Sequence, residues 1–358
     1  REYYGNPSSM HTFGSQVSGK INNAREQVAD FMGVSSSEII FTSCGTESNN
    51  FAVRGILNAN PGKRHIITSQ VEHPAILALC KHLAKNGYEI TELSVDKEGR
   101  LDLEELKSSI RDDTALITIM YANNETGTIF PVDEIGKIAN EKGVPYHCDA
   151  IQAAGKLPVN LKSSPVDLLS ISGHKLHAPK GIGVLYVKKG IRISPLLIGG
   201  HQERNKRAGT ENVPYIIGLG RACQLAKEWI KVEQTTVKSL RDKLEEGILK
   251  AIPKVYVNGD RENRLPNTSN LSFEYVEGES ILLLLSQSGI AASSGSACTS
   301  GSLEPSHVLT AMGVPAVTAQ GSVSLSLIKY STEDDVDLVI EKMTPIIKRL
   351  RDMSPFTP

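Results

Sequence analysis

No apolar run in this 358-residue chain approaches the roughly 18–20 residues that a membrane-spanning helix requires, and the strongest, Ile281 to Leu285, is far too short. A soluble protein is expected, with no membrane partner. An excess of either charge is also missing. The formal net charge is -1, without the clustered excess of Lys and Arg that nucleic acid or an anionic membrane surface would need. The opening residues, Arg1-Glu2-Tyr3-Tyr4-Gly5, have neither the apolar core of a signal peptide nor the Arg-rich look of a transit peptide, which leaves a cytoplasmic location as the default. The five cysteines, at 44, 80, 148, 223 and 298, form no CxxC pair, and their odd number argues against a closed disulfide framework. The nine histidines never fall in HExxH spacing, and Cys148 beside His147 lacks co-ligands nearby, so no metal is expected.

What is present is a composition of 40% hydrophobic and 22% charged residues, in a chain long enough for two domains. From about residue 37 to 187, β-branched runs alternate with amphipathic stretches in the manner of repeated βα units. Candidate strands are Glu38–Thr42, His65–Ser69, Ala115–Met120, Val144–Cys148, Leu168–Ser172 and Gly183–Val187. Their continuous apolar character suits a mostly parallel sheet covered on both faces. Covering helices are signalled by Leu103, Leu106 and Ile110, and by Ile135, Ile138 and Ala139. The expected fold class is therefore α/β. Beyond Thr210 the pattern changes to a long helix from Val213 to about Lys250, then shorter mixed elements, then a helix from Thr332 to Met353. A boundary near residue 230 divides the chain into a large domain, 1–230, and a smaller α+β domain, 231–358.

Several strand ends carry residues with chemical potential. Gly45-Thr46, between a strand and a helix, combines free backbone N–H groups with a hydroxyl and suits a phosphate, although a plain helix cap reads the same way. In Ser172-Gly173-His174-Lys175, a buried strand runs at once into His and Lys. An amine there is not conveniently solvated; desolvation makes it a nucleophile able to form a Schiff base with an aldehyde, against the plainer reading of a surface lysine. Asp149 could pair with a protonated pyridine nitrogen, or cap a helix, and Gln152 could reach a ring oxygen. His73 and Asn123-Asn124-Glu125 also follow strands, and such positions in an open α/β sheet converge on one crevice, where His73 could move protons near neutral pH. Cys298 stands apart, flanked by the glycines and serines of Ser293 to Ser302. A loop of that composition can deliver a thiol to a pocket, and the alternative is a small buried hydrophobe.

Taken together, these segments resemble the cysteine desulfurases among the fold-type I, class V aminotransferase-like enzymes that use pyridoxal 5'-phosphate (PLP). The resemblance covers essentially the whole chain. It rests on Tyr4-Gly5-Asn6-Pro7-Ser8-Ser9, Gly45-Thr46-Glu47-Ser48-Asn49-Asn50, Val71-Glu72-His73-Pro74, Asn123-Asn124-Glu125-Thr126-Gly127, Asp149-Ala150-Ile151-Gln152, Ser172-Gly173-His174-Lys175 and Arg207-Ala208-Gly209-Thr210-Glu211-Asn212. The segment Ser293 to Leu303, with Glu304-Pro305-Ser306-His307 after it, is similar to the long-loop group, nearest the nitrogen-fixation NifS type. The resemblance implies conversion of L-cysteine to L-alanine. Lys175 would carry PLP and move protons, and Cys298 would take the sulfur as a persulfide. His73 would stack on the ring, Asp149 would pair with its nitrogen, and Gln152 and Asn124 would contact its oxygen. Gly45, Thr46, Ser172 and His174 would bind the phosphate. Thr210 would reach the phosphate site of the other subunit, which implies a homodimer, and the sulfur would pass to an acceptor or iron–sulfur scaffold protein.

Two departures qualify the resemblance. The Asp-Asn-Asn-Ala-Thr-Thr segment with which relatives begin is missing upstream, so the N-terminus reads as truncated. In Gly321-Ser322-Val323-Ser324-Leu325-Ser326-Leu327, Ser324 stands where relatives have an arginine that grips the substrate carboxylate. Losing such a pair costs on the order of 2–5 kcal/mol. Lys329 is the nearest cation in the segment, and five residues separate it from Ser324. A selenocysteine lyase, an aminotransferase, or a non-catalytic sulfur-transfer scaffold are the alternatives that Ser324 leaves open.

Overall fold

The computed structural model describes residues 3–295 and 305–355. In chain order its elements begin α1 (Thr12–Met32), β1 (Ile39–Thr42), α2 (Gly45–Ala59), β2 (His65–Ser69), α3 (Pro74–Ala84), β3 (Glu89–Leu93), α4 (Leu103–Ser109), β4 (Thr114–Thr118), α5 (Val132–Glu141), β5 (Tyr146–Asp149), β6 (Leu168–Ser172) and β7 (Gly183–Val187). They continue with the single turn α6 (Gln202–Asn205), α7 (Val213–Val232), α8 (Lys238–Ala251), β8 (Val255–Asn258), β9 (Thr268–Phe273), α9 (Gly278–Gln287), α10 (His307–Ala311), α11 (Ala316–Gln320), β10 (Ser322–Ser326) and α12 (Glu333–Met353). Among the described residues, no helix is long and apolar enough to cross a membrane.

Seven strands form one sheet in the order β1-β7-β6-β5-β4-β2-β3. All neighbours are parallel except β7, which runs antiparallel to both β1 and β6. Successive residues of a strand point to opposite faces, and the core divides accordingly. Ile39 and Phe41 of β1, with Leu169 and Ile171 of β6, pack toward α1, α5 and α7, while Ile40 and Leu168 pack toward α2 and α3. Both faces being covered, β1, β2, β4, β5, β6 and β7 are buried at every position. The α/β class expected from these continuous apolar runs is the one observed.

Boundaries shift by a residue or two, as hydrogen-bond pairing decides them. The expected strands at 115–120 and 144–148 occur at Thr114–Thr118 and Tyr146–Asp149. Glu38 belongs to a turn, where its carboxylate completes a capping box with Ser35. The edge strand β3 was not expected: Glu89-Ile90-Thr91-Glu92-Leu93 is mostly solvent-facing, and its polar residues hide it from a search for buried runs. The helix expected from Val213 to Lys250 is helical throughout, but a π-helical turn at Glu233–Val237 joins α7 to α8.

The second sheet is antiparallel, in the order β10-β9-β8. With α8, α9 and α12 it encloses a separate core of Leu240, Leu244, Ile248, Leu271, Phe273, Ile281, Val323 and Met343. The segment that follows residue 305 goes elsewhere: Val308, Leu309 and Met312 join the core of the large sheet.

Candidate active site

Five connections leave the large sheet at the C-terminal ends of β1, β2, β4, β5 and β6, and each carries residues singled out above. After β1 the chain enters α2 directly. Cys44 makes no side-chain cap, and among the described residues no side chain occupies the first N–H groups of this 15-residue helix. A side chain at Gly45 would collide with Ile151 Cδ1 and come within 3.2 Å of Ser172 Cβ, so only glycine lets these three connections meet. After β6, Ser172 Oγ and His174 Nδ1 are hydrogen-bonded at 2.8 Å. These groups together offer backbone N–H donors, a hydroxyl and an imidazole to an anion.

After β2, His73 caps α3, its Nδ1 accepting from the Ala75 N–H at 3.1 Å, with Pro74 in the first helical turn. After β4 a tight turn is organised by Asn123, whose Oδ1 accepts from the N–H groups of Glu125 (2.9 Å) and Thr126 (3.0 Å). Gly127 completes that turn at φ 80°, a value that favours glycine. The Asn123 amide also donates to the Val71 carbonyl at 3.0 Å, tying the turn to the His73 connection. Asn124 is left to face the interior with its Oδ1 buried and unpartnered.

A cleft of about 330 Å³ holds Asn124, Gln152, His174 and Lys175 together, with Lys156, Trp229, Glu233, Ser326 and Lys329. Deeper in the molecule, Asp149 is 5% exposed. Its Oδ2 accepts from the Asn49 amide at 2.6 Å and its Oδ1 from the Ile151 N–H at 3.0 Å. Burial raises the Asp149 pKa above the usual carboxylate range, while these two bonds and the His73 imidazole act in the opposite direction. Burial likewise lowers the His73 pKa, reinforced by the charges of Lys175 and His307 and opposed by Asp149. A neutral imidazole thus sits within charge range of both Lys175 and Asp149. Lys156, whose Nζ donates to the Gln152 carbonyl at 3.1 Å, is drawn down by burial to about 8, with Lys175 adding to the shift and Glu233 opposing it.

One expectation is corrected. Lys175 occupies a single 3₁₀ turn after β6, and its side chain is exposed in the open cleft rather than secluded from water. Thr210 does not join this cleft within the chain; it is exposed in a separate depression with Ser43, Arg207 and Asn212. Cys298 lies outside the described residues. Ser324 is 6% exposed, its Oγ accepting from the Asn270 amide at 2.7 Å and donating to the Glu125 carbonyl at 3.2 Å. Lys329, five residues on, does line the cleft, its Nζ 5.2 Å from the Trp229 ring centre. The residue that sequence reasoning missed is Asn49. It lay inside a quoted motif without a role, and its only signal was an amide placed one helical turn after Gly45.

Residues 1–339 match the family described as aminotransferase class-V. The chain is 60% identical over 357 residues to a cysteine desulfurase from Nostoc sp., covering 99% of this chain and 89% of that protein. It is 55% identical over 356 residues to the cysteine desulfurase NifS of Azotobacter vinelandii, with the same coverage of 99% and 89%. Among solved structures it is similar to a NifS-like protein at 41% identity and a TM-score of 0.92, over 98% of this chain and 93% of that one.

Proposed function

The chain belongs to the class-V aminotransferase family, in its cysteine desulfurase branch, and from that premise we propose that it converts L-cysteine to L-alanine and transfers the sulfur to Cys298 as a persulfide for iron–sulfur cluster assembly. The observation that carries this reading is the meeting of Lys175, Asn124 and Gln152 in one cleft beside the buried Asp149–Asn49 pair. That family depends on PLP, and the residues fit it. Among the described residues, Asn124 presents an unpartnered buried oxygen and Asp149 a buried carboxylate that pairs with no Lys or Arg, and Gly45 gives a close approach that no side chain would permit.

Lys175 would carry the cofactor through its Nζ, Asp149 would hold a proton on the ring nitrogen, and His73 would cover the ring. Gln152 and Asn124 would contact the ring oxygen. Gly45, Thr46, Ser172 and His174 would hold the phosphate, joined by Thr210 of a second copy in a homodimer. When bound, PLP supplies an electron sink for the charge left as a proton departs from the substrate α-carbon. Lys175 Nζ receives that proton. The Cys298 thiolate then attacks the substrate sulfur; the S–S bond forms as the C–S bond breaks, the carbon fragment takes up one proton at its β-carbon, and Lys175 Nζ returns the α-proton so that the fragment leaves as alanine. The persulfide passes to an acceptor thiol or scaffold protein in the cytoplasm. We place the boundary between a large domain, 1–230, and a small domain, 231–358, next to the π-helical turn, a reading supported by the change of core between Cys223 and Val237.

Purified PLP-loaded protein mixed with L-cysteine is expected to give alanine and Cys298 persulfide in equal amounts in the first turnover. Bound PLP with neither product would overturn the reading. The absence of an arginine at Ser324 favours one second reading, a related PLP enzyme with another substrate. Full turnover of cysteine by a Cys298→Ala variant would support it, because neither a selenocysteine lyase nor an aminotransferase needs a persulfide.

A further inference from the structure

We propose that Glu125 is a positioning residue for sulfur transfer: its carboxylate fixes Gly295 and Ser306, the two chain positions between which Cys298 lies. The proposal rests on the desulfurase reading above. Glu125 is 4% exposed, and its Oε2 accepts from the Ser306 Oγ at 2.5 Å. The Ser306 oxygen in turn accepts from the N–H groups of Val308 and Leu309 at 3.1 and 3.3 Å, so its one proton is committed to Glu125 while its lone pairs start α10. On the other flank, a Cβ placed on Gly295 would collide with the same Oε2 and come within 2.6 Å of Ser306 Cβ. One carboxylate oxygen therefore touches both flanks, and glycine is the residue that allows the approach.

The carboxylate cannot drift, because its backbone is held from both domains. Asn123 Oδ1 accepts the Glu125 N–H at 2.9 Å, and the Glu125 carbonyl accepts from Ser324 Oγ at 3.2 Å and the Asn270 amide at 3.3 Å. Asn124, the preceding residue, faces the cleft of Lys175. A single turn thus presents one side chain to the cofactor site and the next to the flanks of the sulfur acceptor. A second tie follows at His307, whose Nε2 lies 2.9 Å from the Glu72 carbonyl, immediately before His73. An error of about 1 Å in placing reacting atoms can cost on the order of 100-fold in rate, so flanks registered against the cofactor connections have a direct kinetic consequence.

The test uses the PLP-loaded protein and separates two readouts after mixing with L-cysteine: the change in cofactor absorbance, which reports substrate binding, and the rate of Cys298 persulfide formation by alkylation and mass spectrometry. In Glu125→Ala the persulfide rate should fall about tenfold or more, while the apparent Kd from absorbance stays within about twofold. Glu125→Gln keeps an acceptor for Ser306 and should recover to within about threefold of wild type. Gly295→Ala, with Glu125 intact, should reproduce the loss and decides the matter if Glu125→Ala does not fold. Equal losses in both readouts, a Gln variant no better than Ala, or wild-type transfer in Gly295→Ala would each overturn the proposal alone. Wild-type protein that forms no persulfide would overturn the desulfurase reading and this proposal with it.

Discussion

At the connections that leave the large sheet, Asn49 Oδ1, Glu72 Oε2 and Asn124 Oδ1 are buried without a hydrogen-bond partner among the described residues, as is Thr68 Oγ1 near the end of β2. Around the small sheet the buried polar groups satisfy one another. The Asn258 amide donates to Asn270 and Ser272 at 2.7 and 2.8 Å, Ser269 donates to Glu245 at 2.7 Å, and Arg264 grips Glu245 with bonds of 2.7 and 2.9 Å. Only Arg264 Nε lacks a partner among the described members of that network. An unsatisfied buried polar group costs about 1–3 kcal/mol, so a cluster of them marks a place whose partner comes from outside the chain. The satisfied network is architecture. The two regions have similar burial, and what separates a site from a scaffold is whether the polar groups are already spent.

Four substitutions test that contrast. If Asp149 holds the ring nitrogen as proposed, Asp149→Asn should have the largest effect, lowering kcat by about 10³ because that charge is lost. Its melting temperature should hold or rise, since burial already disfavours the charged form; a stability loss as large as the activity loss would make Asp149 structural. Glu245→Ala should do the reverse, costing about 3 kcal/mol in denaturant unfolding by leaving Arg264 buried and uncompensated, with cofactor absorbance unchanged. Asn49→Ala comes next. It strips Asp149 Oδ2 of its bond and should weaken PLP binding by about 1–2 kcal/mol, read as a roughly five- to thirtyfold higher Kd for the cofactor.

Glu72→Gln is the smallest and has the opposite sign. Burial raises the Glu72 pKa from 4.5 to about 8, although the Met120 N–H and Ser69 hydroxyl both donate to its Oε1. The folded chain therefore keeps a proton that the unfolded chain releases above pH 4.5, and stability falls as pH rises through the window from 4.5 to about 8. A glutamine removes that loss. The variant should be more stable than wild type by about 1–2 kcal/mol at pH 8 and gain less at pH 5, measured by urea unfolding at both values. A gain independent of pH would show that the carboxylate does not titrate in this range.

Much of the architecture was legible from local pattern. The six buried strands are short apolar runs bounded by small or polar residues, and such runs are stable only when a sheet is covered on both faces. The edge strand β3 escaped because it pairs with β2 on one side only, so its Glu and Thr residues can remain in solvent. The candidate-site connections were legible for a related reason. Gly45, His73, Asn123 and Ser172 each act within a few residues of a strand end, as a close approach, a helix cap, a turn and a hydroxyl pair, and such signals are written contiguously.

The α/β class and the strand-end position of each motif could be read from the amino-acid pattern, along with candidate residues for holding an aldehyde, a pyridine ring and a phosphate. How their buried groups are paired depends on the three-dimensional fold. Asn49 and Asp149 are separated by 100 residues, and Glu125 and Ser306 by 181. Ser324 reads as a lost arginine in the sequence, yet in the fold its hydroxyl joins Asn270 to the Glu125 carbonyl. Helices, strands and turns are set by neighbours a few residues away, whereas burial and the choice of hydrogen-bond partner depend on what distant chain arrives alongside.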